Sequence, residues 1–99
     1  MVYRKGESPV PRPLDRWAHE HPVARMIANG DRWFMAWIGQ KTTPLHRLEK
    51  LTGIPRSRLE MMSKGGSVSR AELEALARAW SISTGDLIRS MADTVEIVE

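Results

Sequence analysis

Proline and glycine punctuate this chain so regularly that it can fold only as a run of short helices. Pro22, Pro44 and Pro55 stand where a φ fixed near about −65° and a missing N–H suit the start of a helix. Asn29-Gly30, Gly53 and Gly65-Gly66 stand where a helix would stop. The intervals carry helical periodicity. Val23, Met26 and Ile27 share one stripe, and helical patterning is expected to begin near Asp15. Asp31 is expected to cap a second helix that buries Trp33, Phe34, Trp37 and Ile38. Thr43 is the expected N-cap of a third, with Leu45, Leu48 and Thr52 on its inner face, and the helix opening at Ile54-Pro55 turns Leu59 and Met62 inward. Ser69 and Glu72 form a capping-box pattern ahead of Leu73, Leu76, Ala77 and Trp80. Ser83 and Asp86 echo it ahead of Leu87, Ile88 and Met91. No stretch between residues 15 and 91 alternates as a strand would. The expected fold is all-α, a compact bundle of five or six short helices in one domain spanning 15–92.

The ends read differently. Residues 1–14, with Arg4, Lys5, Arg12 and three prolines, are expected to form a flexible basic arm, either idle or reaching onto phosphates or into a neighbouring groove. Residues 93–99 form an acidic tail, expected to fray, the alternative being a short strand that pairs on dimerisation. Charge is polarised along the chain. Residues 41–64 carry six basic side chains (Lys41, Arg47, Lys50, Arg56, Arg58, Lys64) against Glu49 and Glu60, whereas residues 65–99 carry three basic against six acidic. A basic middle with an acidic rear suits a polyanion-facing patch.

Within that basic stretch lies a helix-turn-helix: Thr43–Thr52, a turn at Gly53-Ile54, then Pro55–Lys64. At 100° per residue, burial of Leu59 and Met62 turns Ser57, Glu60, Met61 and Lys64 outward. Arg56 and Arg58 then flank an exposed N-terminal end that fits the major groove, about 12 Å wide. The stretch LEKLTGIPRSRLEMMSKGG followed by SRAELEALARAWSISTGDLI resembles the Cro-like, lambda-repressor-like helix-turn-helix family. Leu48, Gly53, Ile54, Leu59, Met62 and Gly65 fall in that family's register without a gap, as do Leu73, Leu76, Ala77, Ile82, Ser83 and Leu87. The likeness covers Thr43–Ile88, about half of the chain, with 31–40 serving as the family's first helix.

The resemblance implies that Arg56, Ser57 and Met61 occupy base-reading positions and that Arg58 and Lys64 match positions that touch the phosphate backbone. Arg47 and Lys50 point outward from the supporting helix, to phosphate or only to solvent. It also implies double-stranded DNA as partner and a homodimer on a two-fold site, since one short helix makes few base contacts. Departures from the family's pattern are Leu45 where a glutamine often grips phosphate, Glu49 where a small residue is usual, and Thr52, Ser63 and Trp80 in place of leucine, glutamate and leucine.

Glu60 is expected to hold its i,i+4 neighbour Arg56, though it could accept from a cytosine amino group. Of the four tryptophans, Trp33, Trp37 and Trp80 share stripes with aliphatic residues and belong to the core, while Trp17 is open between core and a stacking surface. His19 and His21 cannot both face one metal from a regular helix and are expected at the surface, so no metal and no cofactor is expected. With no cysteine and no glycine-rich phosphate loop, the pattern supports no enzyme. No apolar run reaches the ~18 residues of a membrane span and no signal peptide is visible, so a cytoplasmic protein without a membrane partner is expected. The competing function is a protein-interaction module (adaptor, inhibitor or antitoxin-like partner) on the same scaffold, motivated by Met61, Leu45 and the otherwise unexplained residues 1–30.

Overall fold

Among the described residues no helix exceeds 11 residues, so none is stable alone and each depends on what it buries. The computed structural model describes residues 14–91 and 95–99. Its elements are α1 (Pro22–Ala28), α2 (Trp33–Lys41), α3 (Leu45–Thr52), α4 (Arg56–Ser63), β1 (Val68–Ser69), α5 (Arg70–Trp80), α6 (Thr84–Met91) and β2 (Ile97–Val98). The all-α bundle is thus the observed architecture. α5 is its spine: α3, α6 and β1 pack on it, α1 packs on α2, and α4 packs on α3 and α2. The basic arm expected at the N-terminus, including Arg4, Lys5 and Arg12, lies outside the described residues, as do residues 92–94.

Aromatic rings fill the centre. Trp37 stacks on Trp80 with centroids 5.7 Å apart, and Phe34 lies 6.0 Å from Trp80. A buried indole needs a partner for its N–H. Trp33 and Trp37 both donate to Ser90 Oγ, at 2.7 and 3.0 Å, while Ser90 itself donates to Leu87 O. One buried hydroxyl on α6 therefore uses its donor and both acceptor sites. Trp80 donates to Thr43 Oγ1 at 2.9 Å, which explains why tryptophan fits where the resembled family has leucine.

That bond corrects one expectation. Thr43 is buried under Trp80, and the N-cap of α3 is Pro44. Likewise Asp31 does not cap α2: its N-cap is Arg32, which makes no side-chain cap bond. The helical pattern expected from Asp15 begins only at Pro22. Before it the chain runs extended, Asp15 N donating to Ser81 O at 2.7 Å and Trp17 N to Asp86 Oδ2 at 3.1 Å. His21, expected at the surface, is buried and caps α1. Its Nδ1 accepts from Val23 N, so Nε2 carries the proton and donates to Asp15 Oδ2 at 2.9 Å. Asp15 also pairs with Lys41 at 2.9 Å, and Trp17, partly buried, packs on the core against the rings of His21 and Trp37. These contacts strap residues 14–28 across α2 and α6.

The tail gives a further correction. Ile97 and Val98 do not fray; they pair in parallel with Val68 and Ser69 of the same chain, with Val68 N donating to Glu96 O at 3.0 Å. The strand is intramolecular rather than the dimer-pairing strand held as the alternative, and its partner Val68–Ser69 went unread because two residues are too few to show alternation.

Ser90→Ala orphans two buried indole N–H groups at once. It is expected to cost about 2–4 kcal/mol, read from the urea midpoint of unfolding, whereas a loss below about 0.5 kcal/mol would contradict the shared-acceptor arrangement.

Candidate nucleic-acid interface

The turn between α3 and α4 is built by three local devices. Gly53 closes α3 at φ +76°, a left-handed conformation that strains any residue with a Cβ. Thr52 supports the turn: its hydroxyl donates to Leu48 O at 2.6 Å and accepts from Ile54 N at 3.1 Å, so the departure from leucine serves the turn's own hydrogen bonding. Pro55 then supplies the extended backbone of the α4 N-cap, with φ −60°. At the far end Gly66 N donates to Met61 O at 2.9 Å, and a Cβ on Gly66 would sit 2.9 Å from that oxygen, so only glycine permits the approach. Glu49 is exposed, and its size therefore does not block the packing of α3 on α4.

Leu59 and Met62 are fully buried and fix the rotation of α4. The outward stripe consists of Ser57, Glu60, Met61 and Lys64, all exposed, with Arg56 beside it at the N-terminal end. Met61 is 55% exposed, unusually open for an apolar side chain at the centre of a helix face. Arg56 Nε lies 3.7 Å from Glu60 Oε2, the expected i,i+4 pair; both side chains are half exposed, so the pair is weak and most of the guanidinium's donors stay free.

Arg58 behaves otherwise. Its Nε and Nη2 donate to Glu72 Oε2 and Oε1, each at 2.9 Å, and Nη2 also donates to Ser67 O at 3.1 Å. Glu72 is held from both sides, because Oε1 accepts in addition from Ser69 N in the capping box of α5. The paired guanidinium lowers the Glu72 pKa below its ordinary value, against a smaller opposing effect of burial, and the carboxylate raises that of Arg58. The expectation that Arg58 faces phosphate is therefore corrected: its guanidinium is turned onto the protein's own surface, where it ties α4 to α5. Nothing in the spacing of the basic segment signals this, since the partner lies 14 residues away on another helix.

The remaining cations divide in two. Lys64 continues the stripe of α4 and has no ion-pair partner among the described residues. Arg47 and Lys50 are exposed on α3 without ion pairs among the described residues, but Arg47 borders a cleft of about 430 Å³ whose other walls include Leu14, Lys41 and Trp80 and no residue of α4. One cation was missed by sequence reasoning. Arg32, at the start of α2, places Nη1 3.6 Å from where a Cβ of Gly65 would be, next to the C-terminal end of α4. Only the tertiary packing of α2 on α4 brings it there.

Among the described residues no group of three His, Cys, Asp or Glu side chains is placed to hold a metal ion, and no helix is long and apolar enough to cross a membrane. Comparison of the chain with known protein families, curated proteins and solved structures found no match.

Three carboxylates have lowered pKa values. For Asp15, burial raises it but is outweighed by the Lys41 and His21 hydrogen bonds together; for Glu72 the Arg58 bonds lead; for Asp86 the Trp17 N–H bond leads, followed by its pairing with Arg89. Each folded-state value lies below the unfolded one, so the associated stability is present above the ordinary carboxylate range and is lost as pH falls through the depressed values. The urea midpoint is accordingly expected to hold from about pH 7 to pH 5 and to drop below about pH 4. Glu72→Gln is expected to lower stability at neutral pH by about 1–3 kcal/mol and to flatten that acid limb, and an unchanged limb would contradict the assignment.

Proposed function

We propose that this protein binds double-stranded DNA as a sequence-specific, repressor-like transcriptional regulator, inserting α4 into the major groove. The observation that carries the reading is the uncovered outer face of α4: Arg56, Ser57, Met61 and Lys64 are exposed while Leu59 and Met62 anchor the helix from behind. In this reading Arg56 offers paired donors to guanine O6 and N7, Ser57 a hydroxyl to a neighbouring base edge, and Met61 an apolar contact to a thymine methyl. Lys64 meets phosphate, with Arg47 and Lys50 as flanking cations, and Arg58 acts only by holding α4 in place. The resemblance to Cro-like helix-turn-helix proteins supports the same reading, as does the basic balance of residues 41–64. Binding as a homodimer on a two-fold site would double the base contacts that one eight-residue helix can make.

Met61 also favours a second reading, a protein partner seated on α4 in place of DNA. The two separate in one assay. Fluorescence anisotropy with duplex selected from a random pool is expected to show an association constant that falls steeply with salt. Arg56→Ala should remove discrimination at one base pair by about 1–3 kcal/mol while the thermal midpoint stays put. No binding at ~50 mM salt, or binding indifferent to salt, would contradict DNA recognition and favour the protein partner.

A further inference from the structure

The cations expected to grip phosphate are differently placed from what the basic segment implies: Arg58 is consumed by Glu72, and Leu45 is a partly buried aliphatic residue with nothing to donate. A docking helix anchored through its base contacts alone would be free to tilt in a groove. The other end of α4 carries a cationic pair. Lys64 is its C-cap and lies on the same stripe as Ser57, Glu60 and Met61, at i, i+3, i+4 and i+7. Arg32 reaches Gly65, the next residue, from the start of α2. Both cations stand at the rim of a cleft of about 470 Å³ floored by Trp33, Phe34 and Met62. Asp31 shares that rim but forms no ion pair with either cation among the described residues, and both side chains are exposed. Among the described residues no hydrogen bond or ion pair engages the Arg32 side chain.

We propose that Arg32 and Lys64 form a phosphate clamp at the C-terminal end of α4. This rests on the DNA-binding reading above and names the site within it that fixes the helix against the duplex backbone. The geometry suits the ligand. α4 spans eight residues, about 12 Å at 1.5 Å per residue, which matches the width of the major groove. Arg32 and Lys64 at the C-terminal end then meet phosphate while Arg56, Ser57 and Met61 face the base edges. Phosphate contacts of this kind position a protein without reading sequence. Arg32 comes from the N-cap of α2, so the clamp draws on two elements of the bundle.

Salt-dependent anisotropy on one duplex tests this with the intact chain and with Arg32→Gln, Lys64→Gln, the double variant, Arg32→Lys, and Arg78→Gln as an exposed cation on α5. Each neutral substitution at 32 or 64 is expected to flatten the slope of log K against log salt by about 0.9 for each bound subunit, and the double variant by about twice that. Matched and mismatched duplexes should weaken by the same factor. Arg32→Lys should keep the wild-type slope, as should Arg78→Gln. Thermal midpoints should be unchanged, because neither side chain is buried. Slopes that stay at the wild-type value in the double variant, with wild-type binding intact, would overturn the clamp alone. A wild-type chain that leaves duplex free at low salt would overturn the DNA-binding reading and the clamp with it.

Discussion

The Arg58–Glu72 pair is the contact on which the placement of α4 depends. α4 is eight residues long, has no side-chain N-cap, and cannot hold its shape without its neighbours. Leu59 and Met62 bury one face and set its rotation, but apolar contact is non-directional and leaves tilt soft. The bidentate geometry adds direction. One carboxylate receives two donors from Arg58 and the backbone N–H of Ser69, and the same guanidinium reaches Ser67 O. The end of α4, the connection through Ser67 and the first turn of α5 are thus joined through a single group only partly exposed to water. β1 follows directly at Val68, and β2 pairs with it, so the C-terminal strand closes the same corner of the bundle.

The pairing also decides which charges remain for a ligand. Of the cations on α4 and its C-cap, Arg58 is spent internally, Arg56 is loosely held by Glu60, and Lys64 has no ion-pair partner among the described residues. Binding strength in this arrangement comes from few cations, arranged at the two ends of α4, rather than from bulk charge. The opposite side of the domain is organised for rigidity. Ser90 joins α6 to two tryptophans of α2, Thr43 joins the α2–α3 turn to Trp80, and the strap around Asp15 and His21 locks residues 14–28 over both. A rigid rear holds the supporting helices in place while α4 keeps its outer face open.

Much of this was legible in the sequence where the determinants are local. Gly53, Leu48, Leu59 and Met62 announce the turn and the buried stripe because helical spacing and left-handed caps are properties of consecutive residues. The Arg56–Glu60 pair followed from i,i+4 geometry, and the Ser69–Glu72 box from its three-residue spacing. What escaped is what only tertiary packing creates. Arg58 finds Glu72 on another helix; Thr43 is diverted from capping by an indole 37 residues away; His21 is drawn inward by Asp15 from a segment that is not helical at all. Arg32 reaches the end of α4 only because α2 packs there. The short β1–β2 pairing left no alternation to read.

The central claim is that the outward stripe of α4 is the surface that meets a duplex. Amide chemical shifts of ¹⁵N-labelled protein titrated with duplex DNA at low salt test it residue by residue. The largest changes should run from Arg56 through Ser63 and on to Gly65, with Arg32 among them and with α6 and β2 unmoved. Changes confined to α6, β2 or the cleft beside Arg47, with α4 silent, would mean that the duplex docks elsewhere and that α4 is not the reading element.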